Sequence, residues 1–205
     1  PHEPFTAHRG YRDLYPRNPD QPLFDWPAYR HVTETPEQMS ELRHSYASLL
    51  SKCDRSLGDI LDAFDEYEMW DDTMLILWTD HGFLLGEHNA IAKNWMPMYE
   101  EVSHTPFFVW DPRAPESAGQ RRQALVQPAI DLGPTLLSFF GVQPTPTMLG
   151  HDLSKVFASD TAQVRDAAIF GYFDQHINIT DGRYVYMRPP VEGAERAEAY
   201  TLMPT

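Results

Sequence analysis

An α/β fold is predicted by three observations. A long amphipathic helix is written over residues 35–64. It leads into Thr73-Met74-Leu75-Ile76-Leu77-Trp78-Thr79, a strand-length run that is apolar on both faces. A second short strand, Pro106–Trp110, and a second helix, Asp131–Phe140, continue the alternation. A helix feeding a strand with two apolar faces predicts a mainly parallel sheet flanked by helices, because only a sheet covered on both sides buries such a strand.

Composition supports a folded core and narrows the partners. The 205 residues are 42% hydrophobic and 13% aromatic, which excludes a disordered chain. No apolar run approaches the roughly 18–20 residues of a membrane-spanning helix. Sixteen Lys and Arg stand against thirty Asp and Glu, a net charge of -14. That balance argues against nucleic acid or an anionic membrane as a partner. A single cysteine excludes an internal disulfide and a Cys-rich zinc site. The chain opens Pro1-His2-Glu3-Pro4-Phe5 and closes on Leu202-Met203-Pro204-Thr205, just after an expected strand. Both ends are expected to be cuts through a longer protein. The compartment is left open, with bacterial cytoplasm or periplasm as the leading expectations.

Residues 1–35 are Pro-rich and aromatic without periodicity, and are expected to form a long ordered loop. Arg9, Arg12, Arg17 and Arg30 fall in it, either as scattered surface cations or as the lining of an anion site. Thr35 is the expected N-cap of the first helix, with Pro36 in the first turn and Gln38 completing a capping box. Met39, Leu42, Tyr46, Leu49, Cys53, Leu57, Ile60 and Phe64 follow at spacings of three and four. They predict one buried stripe, and Cys53 upon it is expected to be a buried, inert thiol. Asp71-Asp72 marks a turn, and Met98–Val102 a helical turn before the second strand. Asp131 is the expected N-cap of the later helix and Gly141 its left-handed stop. Residues 143–165 read as a mixed loop with a brief helical piece. Ala168–Phe173, Ile177–Thr180 and Tyr184–Met187 then predict an antiparallel meander, with Asp181-Gly182 as a type I′ hairpin turn. The expected division is 1–165, an α/β body, and 166–205, the start of a small antiparallel subdomain.

The chemistry-bearing stretch is Thr79-Asp80-His81-Gly82-Phe83-Leu84-Leu85-Gly86-Glu87-His88, followed by Lys93. Asp80 and His81 sit just past the C-terminal end of the apolar strand, the edge at which open sheets bind ligands. A carboxylate and an imidazole side by side can reach one divalent cation, and two ligands leave the coordination sphere to be completed from elsewhere. Lys93 is a fixed cation, and a metal with a lysine suits a charged tetrahedral transition state. The alternative is a turn with a surface histidine. His88 is expected to make a structural hydrogen bond in the loop.

The ordered set Asp80-His81-Gly82, Gly86-Glu87-His88, Lys93, Tyr99-Glu100-Glu101 and Thr105-Pro106 is similar to the sulfatases of the alkaline phosphatase superfamily. Asp131-Leu132-Gly133-Pro134-Thr135-Leu136-Leu137 with Gly141 resembles a later helix of that family, and Gly150-His151-Asp152-Leu153 the turn after it. Pro1-His2-Glu3-Pro4-Phe5 resembles the family's Pro-His-x-Pro motif. The resemblance implies a partial alkaline-phosphatase-like sandwich and the C-terminal half of a type I sulfatase. It implies Asp80 and His81 as metal ligands, Lys93 as a contact to the ester oxygens, and His2 as a general acid for the leaving alcohol. Calcium is the default metal, with manganese or zinc as alternatives.

One departure stands out. The family's Cys-x-Pro-x-Arg motif, whose cysteine becomes formylglycine, is absent, since Cys53 is followed by Asp54-Arg55-Ser56. The first pair of acidic metal ligands is also missing. The nucleophile is therefore expected upstream, and this chain alone is expected to be inactive. The expected partners are a sulfate ester substrate and the missing N-terminal half, with possible self-association through uncovered apolar strand faces. The alternatives are a phosphonate monoester or phosphodiester hydrolase of the same superfamily, and a non-catalytic metal-binding relative.

Overall fold

The structure is a computed structural model that describes residues 1–172, 175–191 and 193. In chain order the elements are α1 (Arg9–Arg12), β1 (Arg30–His31), α2 (Pro36–Glu66), β2 (Leu75–Trp78), β3 (Leu84–Leu85), β4 (Ala90–Ala92), α3 (Glu100–Ser103), β5 (Phe107–Trp110), α4 (Pro128–Phe139), α5 (Ser154–Ala158), β6 (Ala168–Gly171), β7 (Ile177–Thr180) and β8 (Val185–Arg188). The chain forms two compact units, Pro1–Met74 with Gly82–Met96, and Leu75–His81 with Pro97–Thr205.

The first unit is organised by α2. Gln38 N–H donates to Thr35 Oγ1 (3.3 Å) and Thr35 N–H donates to Gln38 Oε1 (2.9 Å), a reciprocated capping box. Met39 and Leu42 carry the expected stripe into a core with Phe5 and Ile91, packed by Phe24, Tyr46, Leu49, Phe83 and Leu85. The Phe5 ring meets Tyr46 and Phe83 edge-on at 5.2 and 5.4 Å, the offset geometry that aromatic quadrupoles favour. A small sheet in the order β1-β4-β3 lies in the same unit, with Arg30 opposite Ile91 and Leu85 opposite Ile91 on the other side.

The stripe does not stay buried along its length. Cys53 is exposed, contrary to the expected inert buried thiol, and Ile60 is also exposed. The cover supplied by the N-terminal loop is concentrated between Met39 and Ser51, where Tyr15 Oη lies 2.7 Å from Ser51 Oγ. That loop contains one helical turn, α1, and the short strand β1. Three of its four arginines engage carboxylates: Arg9 with Asp13, Arg17 with Glu41 and Arg30 with Glu34. These pairs favour the scattered-cation reading over an anion-site lining.

The second unit contains β2 and β5, paired antiparallel with Leu75 opposite Trp110 and Leu77 opposite Phe108. This corrects the expected mainly parallel arrangement for these residues: among the described residues every strand pair is antiparallel. An apolar run reports burial, whereas strand direction is decided by the non-local partner. The two strands are also less buried than expected. Leu77 and Phe108, on one face of the ladder, are 40% and 63% exposed.

Helix α4 runs Pro128–Phe139, with its N-cap at Gln127 rather than the expected Asp131, and Gly141 just beyond it, at φ +70°, is the left-handed stop. Asp131 lies inside the first turn and is fully buried. Its carboxylate receives Arg165 Nη1 and Nη2, both at 2.6 Å, and the backbone N–H groups of Gln127 and His151 at 2.7 and 2.8 Å. The Gly150 turn is pressed onto the same helix: a Cβ at Gly150 would stand 1.8 Å from the Ile130 carbonyl oxygen. Helix α5 supplies the brief helical piece.

The meander forms as β6-β7-β8, with Ile177–Thr180 observed at its expected limits. Thr180 pairs with Val185, so the connection is four residues long and replaces the expected two-residue turn. Asp181 carries no positive φ; its Oδ1 instead accepts the N–H groups of Arg183 and Tyr184. The end of the strand expected at Ala168–Phe173 and the one expected before Leu202 lie outside the described residues.

Candidate active site

Each unit positions one pair of the expected site residues. In the first unit the pair is His2 and Lys93. Phe5, buried to 1% exposure, anchors the N-terminal segment, and its backbone N–H donates to the Asp25 carbonyl at 2.7 Å. This fixes His2 and Glu3, a few residues before it. Lys93 follows β4, whose three residues Ala90, Ile91 and Ala92 are all buried. The buried strand therefore delivers Lys93 at its end, with a side chain only 14% exposed.

Lys93 Nζ lies 3.1 Å from His2 Nε2, 3.0 Å from Glu3 Oε1 and 5.8 Å from the centroid of the Tyr29 ring. His2 Nδ1 lies 2.7 Å from the Glu3 carbonyl oxygen. The donor inventory assigns the protons. A carbonyl only accepts, so Nδ1 carries the hydrogen; an ammonium only donates, so Nε2 accepts. Nδ1 thus faces the Glu3 carbonyl and Nε2 faces Lys93. Its side chain is 77% exposed, so the imidazole is reachable from solvent. Burial opposes ionisation of Glu3, yet its own backbone N–H and the Lys93 ammonium together hold its carboxyl below the ordinary carboxylate range.

In the second unit, Asp80 and His81 follow directly after Thr79 at the end of β2. Asp80 Oδ1 accepts the His81 N–H at 3.0 Å and the Thr79 hydroxyl at 3.4 Å, while His81 Nε2 stands 3.5 Å from Asp80 Oδ2. Although burial opposes the charged form, His81 and these hydrogen bonds together lower the Asp80 pKa from its ordinary value. A carboxylate that stays ionised beside an imidazole nitrogen is a suitable pair of donors for a divalent cation. Among the described residues no group of three or more His, Cys, Asp or Glu side chains forms a complete metal cluster. The two donors therefore fit as part of a coordination sphere. His88 adopts a left-handed conformation, φ +53°, in the turn between β3 and β4.

Sequence reasoning missed Glu3 and Tyr29. Glu3 offered a signal: a carboxylate inside a histidine-containing motif, two residues before a core phenylalanine, is held close to whatever that motif serves.

The family model described as Sulfatase matches residues 1–142, a span that takes in His2, Asp80, His81 and Lys93. The chain belongs to the sulfatase family. Arylsulfatase K of Xenopus laevis is 31% identical over 127 residues, covering 62% of this chain and 23% of its own length. The multifunctional alkaline phosphatase superfamily protein PehA of Trinickia caryophylli is 27% identical over 181 residues, covering 75% of this chain and 35% of its own. The sulfatase chain therefore spans about a quarter to a third of these curated relatives. The crystal structure of the phosphonate monoester hydrolase of Agrobacterium radiobacter superposes with a TM-score of 0.73 at 21% identity, covering 92% of this chain and 46% of that one. The sulfatase chain accordingly shares the α/β fold of that hydrolase over the superposed residues.

Proposed function

We propose that the intact protein is a sulfuric ester hydrolase that cleaves sulfate monoesters, with His2 and Lys93 serving the departing oxygen. The observation that carries this reading is the sulfatase match over a span containing the His2–Lys93 contact. The attacking group is assigned outside these 205 residues, because Cys53 stands in no Cys-x-Pro-x-Arg context. As that group bonds to sulfur, the ester S–O bond breaks and an alkoxide or phenoxide departs. His2, protonated at Nε2, passes that proton to the leaving oxygen and keeps the Nδ1 hydrogen that faces the Glu3 carbonyl. Lys93 adds a fixed positive charge beside the oxygen that gains negative charge.

Sulfatases are metal-dependent as a family. Asp80 and His81 are proposed to supply two of the ligands to a divalent cation, calcium first, with manganese or zinc as alternatives. When bound, such a cation would offset the charge of the ester under attack. Thr79 and the His81 backbone N–H hold the Asp80 carboxylate ionised for that purpose.

A second reading is a phosphonate monoester or phosphodiester hydrolase. It is favoured by the fold shared with the phosphonate monoester hydrolase of Agrobacterium radiobacter over 92% of this chain. Release of inorganic sulfate from an aryl sulfate by the intact protein supports the first reading. Turnover of phosphorus esters alone would replace it with the second.

A further inference from the structure

Glu3 touches both members of the His2–Lys93 pair by two different routes. Its carbonyl oxygen accepts the His2 Nδ1 hydrogen at 2.7 Å. Its carboxylate, 8% exposed, places Oε1 3.0 Å from Lys93 Nζ and Oε2 3.6 Å from His2 Nδ1. Among the described residues, the charged groups in contact with His2 are Glu3 and Lys93, and the Tyr29 ring against Lys93 adds a π face rather than a charge.

This geometry resolves a conflict inside the pair. A histidine that is to give up a proton from Nε2 must first carry one there. That state sets an imidazolium 3.1 Å from the Lys93 ammonium. Two cations at that distance repel strongly in a partly desolvated site, and each would suppress the other. A single carboxylate lying against both offsets the repulsion, and the backbone acceptor at Nδ1 directs the second proton to Nε2.

We propose that Glu3 is a positioning residue that holds Lys93 beside His2 and makes the doubly protonated form of His2 accessible. The catalytic half of this statement rests on the sulfatase reading above; the ionisation half does not. Against burial, its own backbone N–H and the Lys93 contact hold the Glu3 carboxyl below the ordinary carboxylate range, so the offsetting charge is present at neutral pH.

The test uses the intact protein with ¹³C-labelled histidine, His2 being assigned by His2→Gln. The His2 resonance is titrated in wild type, Glu3→Gln and Glu3→Asp. Removing an opposite charge at this distance is expected to lower the His2 midpoint by about one pH unit or more in Glu3→Gln, with Glu3→Asp in between. The alkaline limb of kcat on an alkyl sulfate should move down by the same amount, with KM little changed. A His2 midpoint that stays put in folded Glu3→Gln overturns the proposal. If Glu3→Gln does not fold, Lys93→Met gives the complementary measurement: the midpoint must rise, and a fixed midpoint overturns the proposal equally. A shifted midpoint in a protein that cleaves neither ester class upholds the Glu3 coupling and removes the sulfatase reading. An unshifted midpoint in an active sulfatase removes the Glu3 role alone.

Discussion

Lys93 Nζ stands 3.1 Å from His2 Nε2, although 91 positions separate the two residues in the chain. The contact exists because two anchors buried in one core, the Phe5 ring and Ile91 of β4, bring their neighbours to one place. A fixed cation beside an imidazole is the arrangement that the proposed role in leaving-group departure needs. Its removal should be costly in the transition state and cheap in the ground state.

Replacing Lys93 by Ala in the intact protein is therefore expected to lower kcat by about 10²–10³-fold, the usual effect of deleting one preorganised donor to a developing oxyanion. KM should move much less. Steady-state kinetics on an aryl sulfate separates the two parameters. Equal losses through KM alone would mean that Lys93 only binds substrate.

Asp80→Asn keeps the size of the side chain and removes its charge. It is expected to weaken divalent metal binding by at least about tenfold, since a neutral amide is a poorer ligand than a carboxylate. Metal content after dialysis, measured by mass spectrometry beside wild type, checks this without reference to turnover. A full complement of metal in Asp80→Asn would remove Asp80 from the ligand set.

The buried Asp131–Arg165 pair is expected to be a stability determinant. Asp131→Ala leaves a guanidinium that is only 8% exposed without its carboxylate. Breaking a buried pair in this way costs about 3–5 kcal/mol. The pH dependence has a defined sign. Although burial opposes the charged form, Arg165 and the His151 and Gln127 N–H groups lower the Asp131 pKa. Its contribution is therefore full above the unfolded value, near 3.9, and is lost as pH falls through the lower folded value. Urea unfolding of the intact protein between neutral pH and pH 3 should show wild type and Asp131→Asn converging as the pH falls.

Gly150→Ala places a methyl group where the Ile130 carbonyl oxygen already stands. The obstacle is backbone at the start of α4, so it cannot swing aside as a side chain would. A destabilisation of about 1–3 kcal/mol is expected from overpacking, with loss of the Gly150–His151 turn from its seat on Asp131. Thermal unfolding against wild type measures it.

The parts of this molecule that were legible in its sequence are those specified locally. The capping box at Thr35 needs only Thr35 and Gln38, and the stop at Gly141 needs only one residue free to adopt a positive φ. Ile177–Thr180 was legible from its own alternation. What escaped depends on partners far along the chain. The antiparallel pairing of β2 with β5 is a relationship across some thirty residues that neither strand encodes alone. The stripe on α2 continues through Cys53, but exposure there depends on where the covering loop makes its contacts. Asp131 looked like a cap because its role comes from Arg165, 34 positions away. The same holds at the candidate site. His2, Lys93, Asp80 and His81 carry recognisable motifs, whereas Glu3 shows its importance only once β4 brings Lys93 to it.

The central claim is that His2 and Lys93 serve the oxygen that leaves. Its most direct test is the dependence of kcat/KM on leaving-group pKa for a series of aryl sulfates, measured on the intact protein and on His2→Gln. A proton donor matters most when the leaving group is poor. The loss in His2→Gln is expected to be small for nitrophenyl sulfate and to reach about 10²–10⁴-fold for the least acidic phenols, giving a steeper slope. Parallel lines for the two proteins, with the same loss at every leaving group, would contradict the account.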